Sequence, residues 1–105
     1  MPKPIPYADR AAVNRATRIV ADVYQIFRPL IFHPHRGGPG VAMARQLSQY
    51  LAHTSGQVPI ARLARIYRRH MSTITFAVSK VEDLRDDPEF DALVTTLEEK
   101  FNAVA

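Results

Sequence analysis

Apolar positions recur at three- and four-residue spacing along most of this chain, the period of an amphipathic helix, and no stretch alternates as a half-buried strand would. Val13, Ala16, Val20, Val23 and Phe27 make a first stripe and predict a helix over about 10–27, with Asp9 placed to cap it and Pro29 to end it. FHPHRGGPG, residues 32–40, cannot continue a helix; two prolines and three glycines predict a flexible loop carrying His33, His35 and Arg36. Val41, Ala44, Leu47, Tyr50 and Leu51 predict a second helix over 41–53, with Arg45 and Gln46 turned outward. TSGQ then turns the chain, and Pro59, suited to a first helical position, opens a short helix to about Tyr67 that buries Ile60, Leu63 and Ile66 or Tyr67. After a break of a few residues Ser72 is placed to cap a longer helix whose inner stripe is Ile74, Ala77 with Val78, Val81 and Leu84. Asp87-Pro88 restarts a last helix over 88–103, with Phe90, Leu93, Val94, Leu97 and Phe101 on one face.

Together these elements predict one small all-α domain over 1–105, with a flexible N-terminus at 1–8. A short helix, a tight turn and a longer helix with a polar outer face is the layout of a helix-turn-helix, whose recognition helix would start at Ser72.

Length and composition fit that picture and narrow it. A chain of 105 residues makes one domain with a modest core, and its apolar fraction of 47% is ordinary for a globular protein. It has no cysteine, hence neither a disulfide frame nor thiolate chemistry. MPKPIPYADR has no apolar run of signal length, and no stretch approaches the roughly 20 apolar residues of a membrane span. A cytoplasmic domain acting at the nucleoid, with no membrane partner, is the expectation.

Charge sharpens it further. The net charge of +4 hides a division: residues 1–80 carry 12 Lys/Arg against 2 Asp/Glu, and residues 81–105 carry 2 against 8. Between Asp22 and Glu82 there is no acidic residue, and Arg62, Arg65, Arg68 and Arg69 fall within eight positions. A field of one sign over the body of a small domain suits a polyanion, and here points to double-stranded DNA. Arg68, Arg69, His70 and Met71 lie in the turn, at the end of the recognition helix that enters the major groove. Ser72 and Thr73 can donate hydroxyl hydrogen bonds to phosphates or base edges, and free N–H groups at the helix start add phosphate affinity. Thr75, Phe76, Ser79 and Lys80 lie away from the inner stripe; Phe76 reads equally as a contact to a thymine methyl or as an edge of the core.

Other chemistry is poorly served. His33 and His35 on a Pro/Gly loop have no Cys or paired carboxylate near them, and His53 and His70 belong to separate elements, so no metal site is expected. Carboxylates are confined to Asp9, Asp22 and the C-terminal quarter, which leaves no nucleophile with a base and an orienting acid; no enzyme activity and no cofactor are expected.

The segments VAMARQLSQYL and YRRHMSTITFAVSKV resemble the C-terminal, origin-binding domain of the replication initiator DnaA. That family carries V-A-x-x-R-Q followed by an apolar helix ending Y-L, then R-D-H-T-T-V and a K-[IV] further along. Arg69, Ser72, Thr73, Ile74, Lys80 and Val81 stand at matching places. VEDLRDDPEFDAL resembles the end of short, free-standing DnaA-like proteins of alphaproteobacteria. The resemblance implies a TrpR-like all-α fold, base reading by Arg69, phosphate contacts by Arg45, Ser72, Thr73 and Lys80, and a minor-groove role at or beside Arg36. Two departures stand out: His70-Met71 replaces the family's Asp-His, and Arg68 replaces the glycine before the arginine. These imply a different DNA site from the initiator's box.

There is no G-x-x-x-x-G-K-[ST], so no ATPase module and no origin melting. The expectation is a sequence-specific transcription regulator, resembling the DNA-binding part of gene transfer agent activators. It would be an activator, of a gene transfer agent or phage-like cluster, that needs a protein partner to reach RNA polymerase. Two alternatives stand beside it: a replication or nucleoid factor competing with the initiator, and a protein-interaction adaptor that has lost DNA binding. Nothing like a zipper or swapped strand points to a dimer.

Overall fold

Five α-helices and one 3-10 turn account for the computed structural model, which describes residues 3–33 and 37–103; no strand occurs among the described residues. The all-α expectation holds. His35 and Arg36 of the Pro/Gly loop lie outside the described residues.

Helix α1 runs Tyr7–Tyr24, three residues earlier at both ends than the apolar stripe suggests. Pro6, extended at φ −57°, ψ 143°, leads into it, so Tyr7 and Ala8 belong to the helix and not to a flexible terminus. Asp9 is no cap. It lies buried in the first turn, where the helix dipole favours a carboxylate, and accepts a hydrogen bond from Arg62 Nε. The helix stops because Gln25 turns left-handed at φ 56°, with its N–H on Asp22 O at 3.3 Å and the Ile26 N–H on Ala21 O at 2.9 Å. That turn carries Phe27 out of the predicted stripe, 72% exposed, while Val23 faces outward within α1 and Tyr24 and Ile26 pack partly against the core instead.

Pro29 opens a 3-10 turn, Arg28–Phe32, and does not end a helix. Ile31 within it is fully buried although no periodic pattern marks it. Helix α2 is Gly38–Thr54, starting three residues before Val41. Gly37 enters it at φ 98°, where an added Cβ would collide with the Val41 side chain. Pro39 sits in the first turn, whose N–H groups need no helical partner anyway.

Helix α2 is the central element, packed against α1 on one side and α4, Met71–Leu84, on another. Short α3, Ile60–Tyr67, packs on α4, and α5, Pro88–Ala103, closes the core against α1 and α2. Leu47, Leu51, Leu63, Ile74, Val81, Val94 and Leu97 are all essentially inaccessible, as the stripes predict. Each such side chain contributes about 1.5–3 kcal/mol by leaving water. Val58, between α2 and α3, is equally buried and was not among the expected core residues.

Arg85, just past α4, fastens α5 to this core. Its Nε donates to Asp91 Oδ1 at 2.6 Å, Nη2 reaches Thr95 Oγ1 at 3.2 Å and Glu98 Oε1 at 3.1 Å, and Nη1 donates to the Tyr50 hydroxyl at 3.1 Å. Tyr50 in turn donates to Glu82 Oε2 at 2.6 Å. Hydrogen bonds that the guanidinium donates to Glu98 and then Asp91 hold its pKa well above the ordinary value. Part of the C-terminal acidity thus has an internal structural use. No helix among the described residues is long and apolar enough to cross a membrane.

Candidate nucleic-acid interface

The turn between α3 and α4 is three residues, Arg68–His70. Arg68 closes α3 in the left-handed region, φ 56°, ψ 50°, with its N–H on Arg65 O at 3.4 Å and the Arg69 N–H on Ala64 O at 2.9 Å. The one departure from glycine in the initiator-like pattern therefore falls on a position whose backbone favours glycine.

His70 then starts α4. At φ −64°, ψ 147° its Nδ1 accepts the backbone N–H of Ser72 at 3.2 Å and stands 2.9 Å from Ser72 Oγ. The cap is thus His70 and not Ser72, and the helix begins at Met71. An imidazole in this role satisfies the same orphan donor that a Ser or Asp oxygen satisfies elsewhere.

Beyond the cap the outer face of α4 is open. Met71 is 50% exposed and Phe76 63%, and Ser72, Thr73, Thr75 and Ser79 are exposed with them. Phe76 is therefore a surface residue and not an edge of the core. Ile74, Ala77 and Val81 on the opposite face are buried. Helical spacing puts Ser72, Thr75 or Phe76, and Ser79 in one row, and Thr73, Phe76 and half-buried Lys80 in the next, with Arg69 of the turn beside Thr73 and Phe76. Arg68 and His70 are exposed at the end of both rows.

What holds this face in place lies beneath it. Tyr67, the last residue of α3, is buried, its hydroxyl 2.8 Å from Ser48 Oγ on α2 and its ring stacked on Phe32 at 5.1 Å between centroids. Burial raises the Tyr67 pKa well above the ordinary phenol value. At the other end of α3, the Arg62–Asp9 ion pair ties it to α1.

Arg45 does not fit the outward position the spacing suggests. It is half-buried, with Nε on Ile31 O at 2.7 Å and Nη2 on Leu30 O at 3.1 Å and on His33 O, so it staples the 3-10 turn to α2. Arg28 pins the same turn to α1 through Thr17 Oγ1 at 3.1 Å and Asn14 Oδ1 at 2.9 Å. Desolvation, and then the nearby charge of Arg69, lower the Arg45 pKa. Arg45 and Arg69 flank a cleft of about 120 Å³ between α2 and α4, also bordered by Thr73 and Phe76. Gln49, 1% exposed, lines its base, and its carboxamide has no hydrogen-bond partner among the described residues. Gln46, expected outward, is half-buried beside it. Arg36 lies outside the described residues.

Among the described residues, Arg65, Arg68, Arg69 and Lys80 have no carboxylate within ion-pair distance, and the ion pairs present are those of Arg62 and Arg85. Helix α4 itself runs from this cationic turn to Glu82-Asp83, with no acid in its first turn and no base in its last. His53, one of the histidines considered for metal, bonds through Nδ1 to Val58 O at 2.8 Å. No family model, curated protein or solved structure matches the chain.

Proposed function

We propose that this protein binds double-stranded DNA, with α4 in the major groove and the Arg68–His70 turn at its entrance, and acts as a transcription regulator. The observation that carries the reading is the outer face of α3, the turn and α4: cationic at one end, hydroxyl-bearing along its length, and, among the described residues, without a carboxylate partner for Arg65, Arg68, Arg69 or Lys80. A short helix, a three-residue turn and a longer helix with this face is the geometry by which helix-turn-helix proteins read base edges. The likeness of 41–51 and 67–81 to the DnaA origin-binding domain supports the same reading. The residues proposed at the interface are Arg68, Arg69, His70, Met71, Ser72, Thr73, Thr75, Phe76, Ser79 and Lys80. Arg45, engaged on the 3-10 turn, contributes by positioning that turn. Activation then requires a protein partner that contacts RNA polymerase.

The test is a mobility shift on genomic fragments at several salt concentrations, followed by genome-wide occupancy. Binding should fall steeply as salt rises, because neutralised phosphates release counterions. Arg69→Ala should cost about 1–3 kcal/mol and relax preference at one base position, whereas Lys80→Ala should weaken all sequences alike. Absence of salt-sensitive binding would refute the reading. Occupancy at promoters supports regulation, and occupancy confined to origin-proximal sites would replace it with competition against the initiator.

A further inference from the structure

Among the described residues, the buried side-chain polar atoms without a hydrogen-bond partner all lie on two residues of α2: both carboxamide atoms of Gln49, and Oε1 of Gln46. Both residues line the cleft of about 120 Å³ between α2 and α4. Gln49 is 1% exposed, and folded proteins rarely leave so deep a polar group unpaired. Either way round, its carboxamide presents one donor and one acceptor side by side, so the open pair is the same whichever atom is nitrogen. The complement is a planar group with an acceptor beside a donor. A nucleobase edge is such a group, as when Asn or Gln takes adenine N6 and N7 together.

The rest of the lining suits what a base carries with it. Phe76, 63% exposed, borders the cleft and offers an aromatic side chain for a base to stack on. Arg45 and Arg69 flank it, near enough for the charge of Arg69 to lower the Arg45 pKa, and no carboxylate lines the cleft to offset them. An anion joined to the base supplies that offset. A space this size is close to the roughly 150 Å³ cavity that takes benzene, and well under the 300 Å³ or so at which pockets for drug-sized ligands begin. It admits one ring edge-on and leaves a sugar and phosphate outside. We propose that the α2–α4 cleft is a nucleotide-binding site, in which the base pairs with the Gln49 carboxamide and stacks on Phe76 while its phosphate meets Arg69. This site stands apart from duplex binding by α4, and the two can fail separately.

Nitrogen–proton NMR spectra of the full chain test it, titrated in turn with AMP, CMP, GMP and UMP, and with ribose phosphate as the control that has the anion and no base. At least one nucleotide should shift the Gln49 side-chain amide signal and bind on the order of tenfold or more tighter than ribose phosphate. Gln49→Leu exchanges the carboxamide for an apolar side chain, which a site with no internal partner tolerates, and should abolish that binding while the melting temperature holds or rises. Phe76→Ala, at an exposed position, should weaken it about 5- to 150-fold, the worth of one base stacked on an aromatic ring. A single-stranded oligonucleotide that moves the Gln49 signal where free nucleotides do not also supports the site, with a base of a strand as its occupant. Ribose phosphate that binds as tightly as the nucleotides reduces the cleft to an anion site and overturns the proposal. So does a Gln49→Leu variant that binds like wild type, or a Gln49 signal that no probe moves, in which case buried water serves the carboxamide. Failure of salt-sensitive duplex binding would leave each of these results as it stands.

Discussion

Arg68 holds φ 56°, a conformation that costs an L side chain roughly 1–2 kcal/mol and glycine far less. Its side chain is exposed and, among the described residues, makes no hydrogen bond or ion pair that would offset the cost. The charge it brings to the turn is the one gain in view. Arg68→Gly should therefore stabilise the fold by about 0.5–1 kcal/mol in urea unfolding. The same change should weaken binding to every DNA sequence and flatten its salt dependence by about one phosphate contact. A variant that lost stability and affinity together would show that the arginine side chain supports the turn. Residue identity alone misplaced some roles at this scale. Arg45 reads as a surface cation because its partners, three backbone carbonyls of residues 30–33, leave no trace in side-chain pattern. Gln49 is hidden in the same way: a polar residue two positions past Leu47 reads as outward, yet α2 is covered by α1 and α4 and buries it.

Between elements, the decisive joint is where α3 meets α2 through Tyr67, Ser48 and Phe32. Tyr67, Tyr50 and Tyr24 all have pKa values raised by burial, so each holds its proton more tightly folded than unfolded. The sign follows: their contribution is fully present below the unfolded value near 10 and is lost as pH rises through the folded values. Thermal melts should show stability falling progressively above about pH 10, and Tyr67→Phe, which has nothing to ionise, should make that fall shallower. An unchanged alkaline slope would place the effect elsewhere. The existence of the α-helices was legible, because α2 to α5 bury the stripes their spacing marks: Leu47, Leu63, Ile74, Val81 and Leu97 all face the core. Element starts were less so. Gly-Pro-Gly enters α2 because a first turn makes no demand on N–H groups, and His70 caps α4 although imidazole is not among the usual capping groups. The 3-10 turn left no periodic signal at all, since five residues with one buried side chain define no stripe. The open outer face of α4 was readable from the same periodicity that gave its inner one.

For the molecule as a whole, the division of charge has an internal cost. A helix prefers anions at its start and cations at its end, by about 0.3–1 kcal/mol per group near the surface. Helix α4 has the reverse: Arg68 and Arg69 precede it, and Glu82-Asp83 stand in its last turn. Arg85 relieves one end through its network with Tyr50 and the acids of α5, but the described residues put no carboxylate at the other. If the proposed DNA binding holds, a duplex phosphate set there would be the missing anion, and nucleic acid would complete the helix as a folding element as well as occupy it as a ligand. Two stabilisers should then act on one defect. Added salt should raise the melting temperature of the free protein by a few degrees, about what 0.5–1 kcal/mol is worth at this size, while it weakens DNA binding. Bound DNA should raise it more in dilute buffer than in concentrated salt, since screening has by then removed the repulsion that the phosphates would have quenched.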